Sequence, residues 1–135
     1  MQEKILRSVI QDFLTEKGYT YTLTGHNHLM TESRRGFDAG RELLKNGTAL
    51  RDTSAFSTLE LKGEDTLDFL NRITTNELKN LRPGESRRTI FCTDKGRIID
   101  SVLVVNEGTR FLLFGSAGSS DRLCRWINRY IITDD

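Results

Sequence analysis

His26 and His28 are the only histidines of the chain, two apart in Gly25-His26-Asn27-His28. Imidazoles so spaced can share a metal ion, but a structural or catalytic zinc needs three or four protein ligands, and no Cys, Asp or Glu ligand pattern stands beside them. They read as solvated turn residues, and no metal site is expected. Cys92 and Cys124 have neither CxxC spacing nor a histidine partner, and each falls in an apolar stretch, so both read as buried, reduced thiols of a cytoplasmic protein. No Ser/His/Asp or Cys/His arrangement is apparent, which argues against nucleophilic catalysis.

Two further groups could hold an anion. Gly115-Ser116-Ala117-Gly118-Ser119-Ser120 lies between a predicted strand and a predicted helix, where free amides and the helix dipole attract a phosphate or carboxylate. It lacks the Gly-Lys-Ser/Thr ending of a P-loop, and reads first as a connecting loop with Ser119 or Ser120 as helix cap. Arg82, Arg87, Arg88, Lys95 and Arg97 cluster in the region of predicted hairpins, and Arg122, Arg125 and Arg129 follow on the last predicted helix. The formal net charge is only +1, so any attraction to an anionic tail or to RNA phosphate must be local.

The elements that position these groups follow from hydrophobic period and turn chemistry. Ile5, Leu6, Val9, Ile10, Phe13 and Leu14 mark one face of a helix that Gly18 stops. Tyr19 to Thr24 alternates like a short strand, and Ser33 to Lys45 predicts a second helix that buries Phe37, Leu43 and Leu44 and ends at Asn46-Gly47. From Thr48 the texture changes. Phe56, Leu59 and Leu61 predict a strand closed by Gly63, and Asp65 can cap a helix carrying Leu67, Phe69, Leu70 and Ile73. Leu81-Arg82-Pro83-Gly84 is a turn. Arg87 to Cys92, Gly96 to Val105 and Arg110 to Phe114 then make three strands joined by short glycine turns, and Leu123, Trp126, Ile127 and Tyr130 line a final helix with Trp126 and Ile127 buried.

The expected class is α+β: an antiparallel sheet built as strand, helix, three-stranded meander and helix, with residues 1–47 as an N-terminal helical arm and 48–135 as the domain proper. A 36% hydrophobic and 29% charged composition excludes a disordered chain, and no segment approaches the roughly 18 apolar residues of a membrane span.

Several motifs in order resemble one family. Leu50-Arg51-Asp52-Thr53-Ser54, Leu59-Glu60-Leu61-Lys62-Gly63, Phe69-Leu70-Asn71-Arg72-Ile73-Thr74-Thr75-Asn76, Leu81-Arg82-Pro83-Gly84 and Asp94-Lys95-Gly96-Arg97-Ile98-Ile99-Asp100 are similar to the N-terminal domain of the glycine-cleavage T-protein family. The resemblance covers residues 48 to about 130. It implies a folate-facing domain related to aminomethyltransferases, which move a one-carbon unit from an aminomethylated lipoyl arm to tetrahydrofolate. It also admits non-catalytic folate-binding relatives of the YgfZ-like kind, linked to tRNA modification. Folate, a lipoyl-carrying protein or a tRNA-related partner, and the remainder of a longer natural chain are the partners implied. The family's later segments would lie beyond Asp135, so tetrahydrofolate is expected in the full-length protein.

One departure dominates. The family's hairpin leads into Gly-Gly-Ile-hydrophobe-Asp-Asp, whose second aspartate is catalytic; here the run is Gly96-Arg97-Ile98-Ile99-Asp100-Ser101, so Ser101 stands at the catalytic position. Strand side chains alternate between faces, so Asp100 should point away from the surface that Ser101 occupies. An unassisted serine hydroxyl is not ionised at neutral pH and cannot replace a carboxylate base. The family's folate-side tyrosines match Arg88 and Val105, while Leu103 keeps the apolar character of a ring wall. Arg88, Ser101 and Leu103 are the folate-binding candidates, and no catalytic residue is expected. Under the alternative of a divergent aminomethyltransferase, Asp100 would be catalytic; a third reading is an RNA or protein interaction module carried by the arginines.

Overall fold

The computed structural model describes residues 7–23, 29–32 and 36–131. His26, His28, Ile5, Leu6, Ser33 and Ile132 lie outside the described residues. The chain divides into two compact units, residues 1–55 and 56–135.

The first unit holds helix α1 (Gln11–Glu16), strands β1 (Tyr21–Leu23) and β2 (Leu29–Thr31), and helix α2 (Gly36–Asn46). Gly18 ends α1 as its position implies. At φ +78° it adopts the left-handed conformation that glycine tolerates, its amide donates to Thr15 O at 2.9 Å, and the Tyr19 amide donates to Leu14 O at 3.0 Å. Strand β2 was not legible in the sequence. It pairs antiparallel with β1, and Glu32 just after it accepts hydrogen bonds from the hydroxyls of Thr20 and Thr22.

Helix α2 ends at Asn46 as expected, but its predicted burial is overturned: Phe37 is 81% and Leu44 73% exposed, and Leu43 is exposed too. A two-stranded sheet of three-residue strands is too small to cover a helix face, so the amphipathic period of α2 has no layer within its own unit to pack against.

The second unit is the α+β domain. Strand β3 (Phe56–Leu61), helix α3 (Thr66–Ile73), strands β4 (Ser86–Cys92), β5 (Ile98–Asn106) and β6 (Phe111–Ala117), and helix α4 (Ser120–Asn128) follow the predicted order. The sheet runs β3-β6-β5-β4 with every pair antiparallel, so β4 to β6 form the meander and β3 closes its far edge. One face is covered. Phe69 and Leu70 from α3, Leu123 and Ile127 from α4, and Phe91, Val102, Val104 and Leu113 from the sheet form its core. Leu70, Val102 and Leu123 retain no exposure. Trp126 packs against this core only in part, a correction to its expected burial, because it lies nearer the helix flank than Ile127.

The polar residues after α3 attach its exit to the edge strand β4. Thr74 Oγ1 donates to Leu70 O (2.8 Å), the Thr75 amide to Ile90 O (3.1 Å), and Asn76 Nδ2 to Arg88 O (3.0 Å). Asn71 Oδ1 accepts from the Leu78 amide (2.8 Å). The Asn71 to Asn76 run therefore satisfies backbone groups at the end of α3 and along β4.

Three local readings need correction. Asp65 and Ser119 occupy the N-cap positions of α3 and α4, but neither side chain makes a capping hydrogen bond. At α3 it is Thr66 whose hydroxyl reaches back to Gly63 O at 2.9 Å. Strand β6 also continues to Ala117, three residues past the predicted end, because Ala117 pairs with Phe56 across a register shift in β3. Both cysteines are free, but Cys124 is exposed and Cys92 half-buried, not buried as expected. Helix geometry turns Cys124 about 100° from Leu123, out of the core.

Candidate functional site

Strand β5 places the decisive residues. Asp100, Val102, Val104 and Asn106 are buried on the helix-covered face, while Ser101, Leu103 and Val105 lie half-buried on the other. The register carries that second face across the sheet: Ile90 lies opposite Ser101 and Arg88 opposite Leu103 on β4, while Phe114 and Leu112 lie opposite Leu103 and Val105 on β6. Directly opposed residues have Cβ atoms about 5 Å apart and diagonal ones roughly 7–8 Å. The three folate candidates, Arg88, Ser101 and Leu103, are thus brought together on one open face.

Its chemistry is mainly apolar with a cation at one side. Ile90, Leu103, Val105 and Leu112 are half-buried, Phe114 is 40% exposed, and the Arg88 side chain is exposed on β4. A carboxylate reaches this face from β3, where Glu60 lies opposite Leu112. Glu60 is committed elsewhere. It pairs with Lys62 (2.8 Å) and Arg110 (2.9 Å), and hydrogen bonds from these two cations hold its pKa below the usual carboxylate value.

Asp100 meets a different environment. It is 4% exposed, and each oxygen accepts twice: Oδ1 from the Ser101 amide (2.9 Å) and Ser116 Oγ (2.6 Å), Oδ2 from the Ser116 amide (3.0 Å) and Ser119 Oγ (2.5 Å). Burial by itself would raise its pKa, but the hydroxyls of Ser116 and Ser119, followed by the Ser116 and Ser101 amides, outweigh that and leave it lowered. The glycine-serine run read in the sequence as a loop or an anion cradle therefore does hold an anion, the protein's own Asp100. Ser119 caps no helix with its side chain because its hydroxyl is turned to that carboxylate.

Gly115 permits the approach. A Cβ there would stand 2.6 Å from Asp100 Oδ2, closer than packed atoms allow, and a tight 3.0 Å from both Leu123 Cδ1 and Ser119 Oγ. Sequence reasoning missed this assembly of Gly115, Ser116 and Ser119 around Asp100. The one signal was a glycine-serine run placed directly after a strand that neighbours an acid-bearing one.

No group of three or more His, Cys, Asp or Glu able to hold a metal occurs among the described residues. Among them, too, no helix is long and apolar enough to cross a membrane.

This chain is similar to known proteins. The family model described as the GCVT N-terminal domain matches residues 15–134. Aminomethyltransferases of Bacillus mycoides (strain KBAB4) and Bacillus subtilis (strain 168) are each 31% identical over 94 residues, which is 69% of this chain and 26% of each relative. The chain thus spans about a quarter of the length of the curated relatives it matches. The crystal structure of glycine cleavage system aminomethyltransferase T from Bartonella henselae superposes with a TM-score of 0.79 over 98% of this chain and 37% of that one. At 16% identity, that likeness speaks for the fold.

Proposed function

The chain belongs to the GCVT N-terminal domain family, and on that premise we propose that it is a folate-facing, non-catalytic domain of the YgfZ-like kind, with residues 48–135 as the first part of the folate-binding unit. The open face of Arg88, Ser101 and Leu103 is the surface turned to tetrahydrofolate in this reading. Leu103 and its apolar neighbours offer a wall for a flat ring, and Arg88 offers a charge for an anionic tail.

The observation that carries the reading is the opposite orientation of Asp100 and Ser101. A general base needs a free lone pair within reach of the proton it removes and a pKa near the working pH. Asp100 has neither. Its four acceptor positions face protein donors, and its pKa is lowered, which makes it a weaker base. Ser101 faces the right side but has no carboxylate. A lipoyl-carrying protein remains the natural partner class for a relative that transfers, and a tRNA-related partner for one that does not.

The test is an aminomethyl-transfer assay to tetrahydrofolate on the full-length protein. The unmodified protein is expected to show no transfer, and Ser101→Asp to gain about 10²-fold over that background. Arg88 beside the new carboxylate would lower its pKa, so adding Arg88→Tyr should raise the rate further. Robust transfer by the unmodified protein, lost in a folded Asp100→Asn variant, would overturn the reading.

A further inference from the structure

Helix α4 presents a second surface, on the side of the sheet away from the open face and independent of the folate reading. Arg122 and Arg125 on α4 and Arg129 at its C-cap recur at intervals of three and four, which places them within about 60° of arc and along roughly 10 Å of axis. All three are exposed, and among the described residues none forms an ion pair. Two rings adjoin the stripe. Trp126 and Tyr130 meet edge to face with centroids 5.0 Å apart, and the Arg129 guanidinium lies 5.8 Å from the first ring and 6.0 Å from the second.

Both rings line a groove of about 580 Å³ whose other walls include Arg72, Thr75, Thr93 and Asp94. That volume lies within the range of small-ligand sites, roughly 300–1,000 Å³. Asp94 in the groove and Asp121 in the first turn of α4 oppose an anion, and Arg72 is paired with Asp68, but the three arginines outnumber the two aspartates.

We propose that this edge of α4 binds single-stranded polynucleotide, with a base against the Trp126 and Tyr130 rings and phosphates on Arg122, Arg125 and Arg129. Arginines alone would suit any polyanion; the adjoining rings select one that carries flat bases, since stacking on aromatic and guanidinium planes is how single strands are held without sequence preference.

Trp126 is the only tryptophan, so its fluorescence reports this site directly. The experiment titrates the whole chain with a short single-stranded RNA at several salt concentrations, following anisotropy of the labelled RNA and Trp126 emission. Expected are quenching on binding and a log–log salt slope of about −2, as three phosphate contacts on a single strand imply. Arg122→Gln, Arg125→Gln and Arg129→Gln together should weaken binding roughly tenfold or more and flatten the slope, with an unchanged thermal melt. Tyr130→Ala, which leaves the arginines in place, should weaken binding while keeping the slope. No binding at low salt, undiminished binding by the folded triple variant, or equal binding of poly-glutamate without quenching would each overturn the proposal.

Discussion

Asp100 and Ser101 are neighbours in the chain, yet they live on opposite sides of β5 under opposite rules. On the covered side, Asp100 is tied to Ser101, Ser116 and Ser119 and closed over by Gly115 and Leu123. On the open side, Ser101 sits with Leu103, Val105 and Phe114. A buried carboxylate must have its lone pairs satisfied, so the covered side tolerates little change. The open side spends its residues on a surface, so its side chains are replaceable without loss of fold. Asp100 is structural here, whereas Ser101, which we propose stands at the family's catalytic position, faces the open surface.

The largest expected break in that comparison is Asp100→Ala. It removes a charged acceptor from four donors and should cost about 3–5 kcal/mol in denaturant unfolding. A cost below about 1 kcal/mol would mean that the serine cradle is not structural. The same group carries a pH signature. Its folded pKa is lowered relative to an unfolded value of about 3.9, so its contribution is complete above about pH 5 and is lost as pH falls through the folded pKa. Asp100→Asn should remove that acid-side loss, measured as the difference between the two proteins' urea midpoints down to acidic pH.

A smaller effect is expected at Gly115→Ala. The added methyl meets Asp100 Oδ2 at 2.6 Å and must displace it or the α4 entry, which should cost about 1–3 kcal/mol. Neutral behaviour would show that β6 and α4 can separate freely at Ser116 to Ser119. Smallest, and sharpest as a contrast, is one substitution made on each side. Ser119→Ala should cost about 1–2 kcal/mol because it deletes a hydrogen bond to a buried charge, whereas Ser101→Ala should stay within about 0.5 kcal/mol. Equal costs would erase the distinction between the two faces.

Much of this is legible in the sequence. The run Leu67, Phe69, Leu70 and Ile73 has helical spacing, and the buried side of α3 carries Phe69 and Leu70. Asp94-Lys95-Gly96 marks the β4–β5 hairpin and Pro83-Gly84 a turn just before β4, because proline fixes one backbone torsion and glycine tolerates a positive φ. The sequence also places a strand before Pro83-Gly84; the structure has the connection from α3 there. Alternation alone put Asp100 and Ser101 on opposite faces, and the register bears it out. What failed was whatever depended on a partner distant in sequence. Phe37 and Leu44 have the period of a buried helix face but are exposed, and Cys124 has apolar neighbours in sequence but faces outward from α4.

Local sequence determined the order of elements, their period and the turn positions, because those depend on contacts a few residues apart. Only the tertiary structure decided that the glycine-serine run at the end of β6 would receive Asp100, sixteen to nineteen residues earlier in the chain. A serine has the same hydroxyl whether it caps a helix, faces a ligand or binds a carboxylate. Which of these it does depends on what the fold brings within about 3 Å of it.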